Sequence, residues 1–325
     1  MTTRRDLILG AAGAALGLTC GLGRSKSTLA AGADRAKVGL ARDPAVVDAD
    51  GRPDRAGVDK LLGRALIGAL GTADAVSGLR RLFSPSDVVG IKVSCLAGRG
   101  LCTHAELVDA LVAKIVQAGV RADNIVVWDK SDNDLRRARF TIRRSGPGPL
   151  YYGTNDDYEE DPTESGSVGG CLSRILTVKA TAIVNVPILK DHDLAGISGA
   201  LKSFYGAIHN PNKYHDNGCS PYIADLYAHP AIQKKVRLTV FDALVPQYHG
   251  GPALVPAHTW KLGAVFASLD PVAADTMAVK IIEEKRKEVG MDSLGKAGRA
   301  PEWLKKAAQL GLGIGDPQRI DEVVR

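Results

Sequence analysis

The amino-acid sequence predicts an α/β fold, with helices on both faces of a largely parallel or mixed β-sheet. Apolar runs of strand length alternate with longer segments of helical periodicity, an alternation typical of βαβ units. The predicted strands lie at residues 37–41, 88–94, 125–129, 182–187, 236–242 and 262–268. The predicted helices lie at residues 55–70, 104–118, 194–208, 222–235, 271–288 and 302–310.

Two of the predicted helices have recognisable start signals. Thr103 and Glu106 have the spacing of a capping box, in which two side chains satisfy free backbone N–H groups at a helix start. Asp270 precedes Pro271, and an Asp cap followed by Pro in the first turn is a frequent helix start. Capping is therefore a sufficient structural reason for Asp270.

The helix predicted at residues 194–208 is unusual because its outer arc carries no charge. A row of polar residues runs beside an apolar stripe, and the remaining arc contains only Gly, Ala and Ser. The polar row consists of Ser198, Lys202, Tyr205 and His209. We expect another backbone to pack against the small arc and Lys202 to be mostly buried. A buried ammonium is unfavourable without a carboxylate, a bound anion or a water cluster beside it, so Lys202 is the first candidate site residue.

The first 33 residues are predicted to be a cleaved signal peptide. Arg4 and Arg5 precede a short Ala/Gly/Leu run, a pattern typical of the twin-arginine export route. The run is too short and too rich in small residues to predict a permanent membrane span. The mature chain, residues 34–325, is expected to be a soluble single domain in the periplasm or outside the cell. Its first partner would be the twin-arginine export machinery.

The composition suits a globular domain and argues against nucleic acid as a partner. Hydrophobic residues make up 45% of the chain and charged residues 24%. The signal peptide contains four of the 42 basic and one of the 36 acidic residues, so its removal lowers the net charge from +6 to +3. That charge is small, and the sequence has no basic stripe interleaved with aromatic residues. The segment 143–170 interrupts the strand–helix pattern and is predicted to be an excursion rich in Gly, Pro and acidic residues.

The candidate site is expected beyond the carboxyl ends of the strands, where open α/β sheets bind ligands. The leading hypothesis is an enzyme that acts on a small anionic molecule. In it, Lys202, His192, His209 and Asp242 are the candidate catalytic residues, with a histidine as general acid–base and Asp242 orienting it. The candidate binding residues are Lys92, Asn185, Lys190, Tyr205 and the loop glycines Gly98 and Gly100, whose strand–helix turn presents backbone N–H groups.

Two alternatives remain open from the residues alone. One is a protein with a metal ion or redox centre, and its candidate ligands are His192, His209, His215, His249, Asp242 and Cys95. The other is a ligand-binding accessory protein without catalysis, for which the same pocket would suffice.

The mature chain has four cysteines, Cys95, Cys102, Cys171 and Cys219, which permit disulfides in an oxidising compartment. Cys95 and Cys102 are expected to lie close enough to bridge.

Several motifs resemble those of domain-of-unknown-function family number 362, in its exported branch. The most specific block is Asn185-Val186-Pro187-Ile188-Leu189-Lys190-Asp191-His192, continued by Gly199-Ala200-Leu201-Lys202. A second is Ser268-Leu269-Asp270-Pro271-Val272-Ala273-Ala274-Asp275. The resemblance covers roughly residues 85–320 and implies the location of the site, but no family-wide activity. Some members of that family carry ferredoxin-type cysteine clusters and are described as iron–sulfur proteins, and this chain departs from them in having no such cluster.

Overall fold

The computed structural model describes residues 34–325 of the chain. This part contains twelve β-strands and eight α-helices, joined by loops and short 3₁₀ segments. The strands are β1 (Ala36–Arg42), β2 (Val89–Val93), β3 (Ile125–Trp128), β4 (Leu150–Tyr151), β5 (Thr163–Ser165), β6 (Val168–Gly170), β7 (Ala182–Val186), β8 (Ile188–His192), β9 (Gly196–Ile197), β10 (Val236–Gln247), β11 (Ala264–Ser268) and β12 (Ile320–Val324). The helices are α1 (Arg55–Leu70), α2 (Ala75–Leu82), α3 (Ala105–Gln117), α4 (Asp132–Arg137), α5 (Tyr222–Tyr227), α6 (Pro230–Gln233), α7 (Pro271–Glu288) and α8 (Glu302–Gln309). The signal-peptide prediction falls on residues 1–33 and lies outside the described part.

The main sheet is mixed, with a parallel half and an antiparallel insertion. Its strand order is β12-β1-β11-β10-β7-β2-β3-β4, and β8 pairs with β10 and with β9. The strands from β10 to β4 run parallel, whereas β11 is antiparallel to both β10 and β1. The predicted α/β fold with a largely parallel or mixed sheet is therefore confirmed.

Helices cover both faces because successive strand residues point to opposite sides of the sheet. In β3, Ile125 and Val127 belong to a core shared with α1, α2 and α3. Val126 and Trp128 belong to the opposite core, which is shared with α5, α7 and α8. Both cores consist of fully buried aliphatic and aromatic side chains, so the strands are apolar on both faces, as parallel strands usually are.

The long helices agree with the sequence predictions, but the helix predicted at residues 194–208 is wrong. β8 continues to His192, a turn leads into β9, and a 3₁₀ helix, Lys202–Ala207, follows. Gly196 has a φ of 79°, a left-handed conformation that an α-helix does not accept. The carboxylate of Asp275 lies directly against Gly199, where a Cβ would overlap it. The small residues of this segment therefore allow a close approach: at Gly199 the approaching group is a side chain of α7, and at Gly196 it is the backbone carbonyl of Arg299.

None of the helices within residues 34–325 is long and apolar enough to cross a bilayer. Within the segment 143–170, β4 pairs with β3 at the sheet edge, and β5 and β6 form a separate two-stranded sheet.

Candidate functional site

A cavity of about 610 Å³ lies beyond the carboxyl ends of β2 and β3. Its floor comes from these strand ends, one wall from β8, and another wall from the 3₁₀ segments between residues 202 and 219. The lining side chains that titrate are Lys92, Cys95, Asp129, Lys130, Asp134, Lys190, His192, Lys202, Tyr205, His209, Lys213 and His215. Lysines thus outnumber carboxylates at this surface.

The strand geometry of β8 decides which of its side chains face the cavity. Lys190 and His192 are two residues apart, so they share a face and both line the cavity. Asp191 points to the opposite face, where its carboxylate accepts a hydrogen bond of 2.8 Å from the backbone N–H of Gly251 and pairs with Arg299 at 3.1 Å. The motif Lys-Asp-His therefore supplies two cavity residues and one structural anchor.

Lys92 lines the floor of the cavity as part of a closed ion pair. Its Nζ donates to Asp129 Oδ1 at 2.7 Å and to the Val93 carbonyl at 2.8 Å. The second oxygen of Asp129 accepts the backbone N–H of Cys95 at 2.7 Å. Both side chains are buried, so each compensates the charge of the other.

Lys190 and Lys202 are buried without a carboxylate partner. Lys190 is 5% exposed, and its Nζ donates to the Pro252 carbonyl at 2.9 Å. Lys202 is 9% exposed, and its Nζ lies 3.2 Å from Nε2 of His215 and 4.3 Å from the centroid of the Tyr205 ring. Among residues 34–325, no carboxylate lies within ion-pair distance of either ammonium. The expectation that Lys202 is buried is confirmed, although the helix that motivated it does not form.

Burial lowers the pKa of both lysines. Desolvation, together with the nearby Lys202 ammonium, lowers the pKa of Lys190 to about 8. Desolvation lowers the pKa of Lys202 to about 8 as well. Both pKa values lie well below 10.5, the ordinary value for lysine. The cavity therefore holds two cations that the described chain does not neutralise.

The hydrogen bonds of the two cavity histidines indicate which nitrogen carries the proton. His215 Nδ1 lies 3.1 Å from the Pro211 carbonyl, an acceptor, so Nδ1 donates and Nε2 presents its lone pair to Lys202. His192 Nδ1 accepts the backbone N–H groups of Leu194 and Ala195 at 3.2 and 3.3 Å, which leaves the proton on Nε2; Asp193 Oδ1, 3.0 Å from the same Nδ1, accepts the Leu194 N–H as well. Desolvation and the Lys202 ammonium lower the pKa of His192 to about 2. His192 is therefore a neutral hydrogen-bond donor.

Lys130 and His209 lie at the opening. Lys130 donates to the carbonyls of Ile208 and His209 and to the Tyr158 hydroxyl, each at 3.2 Å. His209 is exposed, and its Nδ1 accepts the backbone N–H of Cys171 at 3.1 Å. Lys130 is not among the predicted site residues, although it directly follows the strand predicted at residues 125–129, where ligand-binding residues are expected. Tyr205 lines the cavity with its ring, while its hydroxyl donates to the Tyr214 carbonyl at 2.7 Å.

Four of the predicted catalytic and binding residues do not line the cavity, and two of them, Asn185 and Asp242, are used in other hydrogen bonds. Asn185 donates to the Ala200 carbonyl at 2.7 Å and accepts the Ser203 hydroxyl at 2.8 Å, so it supports the backbone before Lys202. Asp242 accepts from the backbone N–H and from Nδ1 of His104 at 2.7 and 2.8 Å, so it orients neither His192 nor His209.

Gly98 and Gly100 also lie apart from the cavity, Gly98 against Arg137 and Gly100 against Leu254. The capping box predicted beside them is absent as well. The Thr103 hydroxyl instead donates to the Val186 carbonyl and accepts the backbone N–H of Ser94.

The candidate metal ligands do not assemble. Within residues 34–325, no three His, Cys, Asp or Glu side chains are grouped so that they could hold a metal ion. His249 lies outside the cavity beside Arg299, and Nδ1 of both His192 and His209 accepts backbone N–H groups. The donor set therefore does not fit a metal or iron–sulfur centre.

The four cysteines of the described chain are free thiols. Cys95 and Cys102, which we expect to lie close together, are both buried, and burial raises the pKa of both thiols, that of Cys102 to about 12.

Comparisons with known proteins place the chain in a family. A family described as a domain of unknown function, DUF362, matches residues 89–280, which is more than half of the chain. A crystal structure of a protein from Thermotoga maritima, a Northeast Structural Genomics Consortium target, aligns with a TM-score of 0.33 and 12% identity over 56% of this chain. The alignment spans about half of that protein, 52%, and at this similarity it carries no argument. A search of curated proteins found no match. The matched region contains β2, β7, β8 and Lys202, and the chain belongs to the DUF362 family.

Proposed function

We propose that this chain is an exported enzyme that acts on a small anionic molecule bound in the cavity. The observation that supports the proposal is the presence of two buried ammonium groups, Lys190 and Lys202, without a carboxylate partner in the described chain. A buried charge normally has an opposite charge beside it, because the interior solvates it poorly. An anionic ligand would supply that charge.

The energetic argument follows from the pKa values. A displacement of one pKa unit corresponds to about 1.4 kcal/mol, so lowering a lysine from 10.5 to about 8 costs on the order of 3 kcal/mol in the charged form. An anion between the two ammonium groups would recover part of this cost for each lysine. The site is thus built to bind an anion more favourably than water.

His192 would contribute a neutral hydrogen bond to the same ligand. Desolvation and the Lys202 ammonium lower its pKa to about 2, so it would stay neutral near pH 7 and act on the ligand as a hydrogen-bond donor through Nε2. His209, at the opening, and His215, beside Lys202, remain the histidines with a place in proton transfer. Lys92 would act on the ligand only together with Asp129, because the two form a closed pair.

Sulfate binding tests the anion site, because sulfate keeps its charge between pH 6 and 10. Calorimetric titration at constant ionic strength should show binding that Lys190→Met and Lys202→Met each weaken about tenfold or more, a loss of about 1.4 kcal/mol. The matched control is Lys179→Met, which removes an exposed lysine away from the cavity. Equal sulfate affinity in all four proteins would rule out the cavity as an anion site.

The pH dependence of sulfate binding gives a second test. Both lysines lose their protons as the pH rises through about 8, so affinity should fall over that range. An affinity independent of pH from 7 to 9.5 would contradict the role of these two lysines.

A turnover screen separates the enzyme from a ligand-binding accessory protein. NMR spectra of mixtures of small carboxylates and phosphate esters, incubated with the protein, should show consumption of one compound, and Lys202→Met should abolish it. Sulfate binding without consumption of any compound would favour the accessory role.

The export part of the proposal is supported by Arg4 and Arg5 and the small apolar run after them.

A further inference from the structure

We propose that Lys202 is an amine nucleophile that forms an imine with an anionic aldehyde or ketone, and that Lys190 binds the anionic group of that substrate. This inference rests on the proposed function, because it uses the same cavity. It adds the substrate class, a carbonyl compound that carries a negative charge, and it gives the two lysines different roles.

The surroundings of Lys202 are those of a lysine that can lose its proton. Its ammonium lies in a cavity wall, its nearest polar partner is the His215 imidazole, and no carboxylate of the described chain is within ion-pair distance. An ion pair stabilises the ammonium form of a lysine, which has no nucleophilic lone pair, and the Lys92–Asp129 contact is a pair of this kind. Lys202 has no such restraint.

His215 is the nearest proton acceptor, and because burial and the Lys202 ammonium lower its pKa below 6.5, it holds the proton only in passing. The Pro211 carbonyl fixes its Nδ1 as the donor, so the Nε2 lone pair points at the Lys202 ammonium across 3.2 Å. The partner of Lys190 is the Pro252 carbonyl, which cannot accept a proton at ordinary pH. The two lysines therefore differ in their partners: Lys202 can pass its proton to an imidazole, whereas Lys190 has only a carbonyl beside it, which accepts a hydrogen bond and takes no proton.

Burial adds to this geometry. With a pKa of about 8, Lys202 is uncharged in about a tenth of molecules at pH 7, against well under a thousandth for an ordinary lysine. Enzymes that form imines use desolvation and a neighbouring cation in this way.

The titratable groups around the Lys202 amine come from four elements. They are Lys190 and His192 of β8, Asp193 of the turn after it, Tyr205 of the same 3₁₀ helix, and His215 and Cys219 of the segment opposite.

The step balances with the substrate and water alone. The neutral Lys202 amine, after its proton has passed to His215, adds its lone pair to the carbonyl carbon, and the carbonyl oxygen takes up the proton that the attacking nitrogen releases. The hydroxyl group of this neutral carbinolamine takes the proton held by His215 and leaves as water, while the nitrogen lone pair forms the carbon–nitrogen double bond of a protonated imine. No oxidant or reductant takes part, and hydrolysis reverses the sequence.

Reductive trapping tests the imine. The full-length mature protein is incubated with glyoxylate, a small anionic aldehyde, and sodium cyanoborohydride at pH 7, and modified lysines are located by peptide mass spectrometry. Lys202 should be labelled at least tenfold faster than the exposed Lys179, because about a tenth of the Lys202 amines are uncharged at pH 7. Acetaldehyde, which has the same carbon count but no charge, should show a clearly smaller preference for Lys202. Sulfate should protect Lys202 from glyoxylate.

Two variants separate the roles. Lys190→Met should reduce the glyoxylate preference at Lys202 to the level seen with acetaldehyde, and His215→Asn should slow labelling at Lys202. Circular dichroism establishes that both variants are folded. Labelling at Lys202 no faster than at Lys179, or faster labelling at Lys190 than at Lys202, would overturn the inference.

Sulfate titration of the same samples distinguishes this failure from failure of the proposed function. Lysine-dependent sulfate binding without fast labelling at Lys202 leaves an anion site and removes the imine. Absence of lysine-dependent sulfate binding removes both.

Discussion

The carboxylate of Asp275 accepts a hydrogen bond of 3.0 Å from the backbone N–H of Leu201, the residue that precedes Lys202. Its other oxygen accepts the backbone N–H of Ala200. Asp275 is fully buried in α7, so a helix on one face of the sheet holds the backbone that delivers Lys202 to the cavity. Two separate motifs of the family, one around Lys202 and one around Asp275, thus meet at this contact.

We expect Asp275→Ala to lower the free energy of unfolding by about 1–3 kcal/mol, because it leaves two buried N–H groups without an acceptor. Sulfate affinity should fall with it, since the turn before Lys202 loses its support. The control is Asp316→Ala, which removes an exposed cap at the 3₁₀ helix Pro317–Arg319, away from the cavity. Urea unfolding and calorimetry measure the two effects, and unchanged stability in Asp275→Ala would contradict the anchoring role.

The titration of Asp275 should make the free energy of unfolding depend on pH. Burial raises its pKa from 3.8 to about 7, so the folded state holds a proton there that the unfolded state releases at lower pH. Its contribution to stability is full below pH 3.8 and is lost as the pH rises through about 7. The unfolding free energy of wild type minus that of Asp275→Asn should therefore decrease as the pH rises over this window. A difference that grows from pH 4 to pH 7 would reverse the assigned direction.

Replacing either buried lysine with methionine should stabilise the ligand-free protein at neutral pH, by about 1–3 kcal/mol, because an uncompensated ammonium leaves the interior. The pKa of each lysine is lowered from 10.5 to about 8, so the unfolded state holds more protons between these values. Wild-type stability from these groups thus rises from pH 8 to 10.5, and the advantage of Lys190→Met or Lys202→Met shrinks across that window. Lys179→Met should show neither effect in thermal unfolding. Destabilisation by both cavity substitutions at pH 7 would mean that these lysines have structural partners.

The His104–Asp242 pair should act on stability and leave anion binding unchanged, because it lies outside the cavity. Burial lowers the pKa of His104, but the charge and the hydrogen bond of the Asp242 carboxylate outweigh it, so the pKa lies above 6.5. The stabilisation is therefore full below pH 6.5 and is lost as the pH rises through the higher folded-state value. His104→Gln should remove this dependence in urea titrations and keep the sulfate affinity of wild type. A large loss of sulfate binding would instead connect the pair to the site.

Export should depend on the arginine pair. Changing Arg4 and Arg5 together to Lys should leave the precursor in the cytoplasm, because the twin-arginine route requires the arginine side chains themselves. Immunoblots of periplasmic and cytoplasmic fractions measure the outcome, with Arg24→Lys as the control. Normal periplasmic accumulation of the double variant would contradict this route.

The sequence by itself determined the regular elements that depend on local pattern. The long helices α1, α3 and α7 and the central strands agree with the predictions within a few residues, because periodicity and caps are properties of neighbouring residues. The helix prediction for residues 194–208 is wrong because it, too, used only local pattern. Its apolar spacing suits a helix, but Gly196 and Gly199 serve a turn and a close contact with α7, and only the folded chain brings α7 there.

The tertiary structure alone decided which candidate residues form the site. Lys92, Lys190, Lys202, Tyr205, His192, His209 and His215 meet at one cavity, as the order β7-β2-β3 and the β8–β9 turn dictate. Asn185 lies near the end of β7, and Asp242 ends a predicted strand that in the structure continues to Gln247, yet Ala200, Ser203 and His104 use their hydrogen-bonding groups. A polar residue at a strand end reaches a ligand only when no nearby donor or acceptor claims it, and that competition depends on segments distant in sequence.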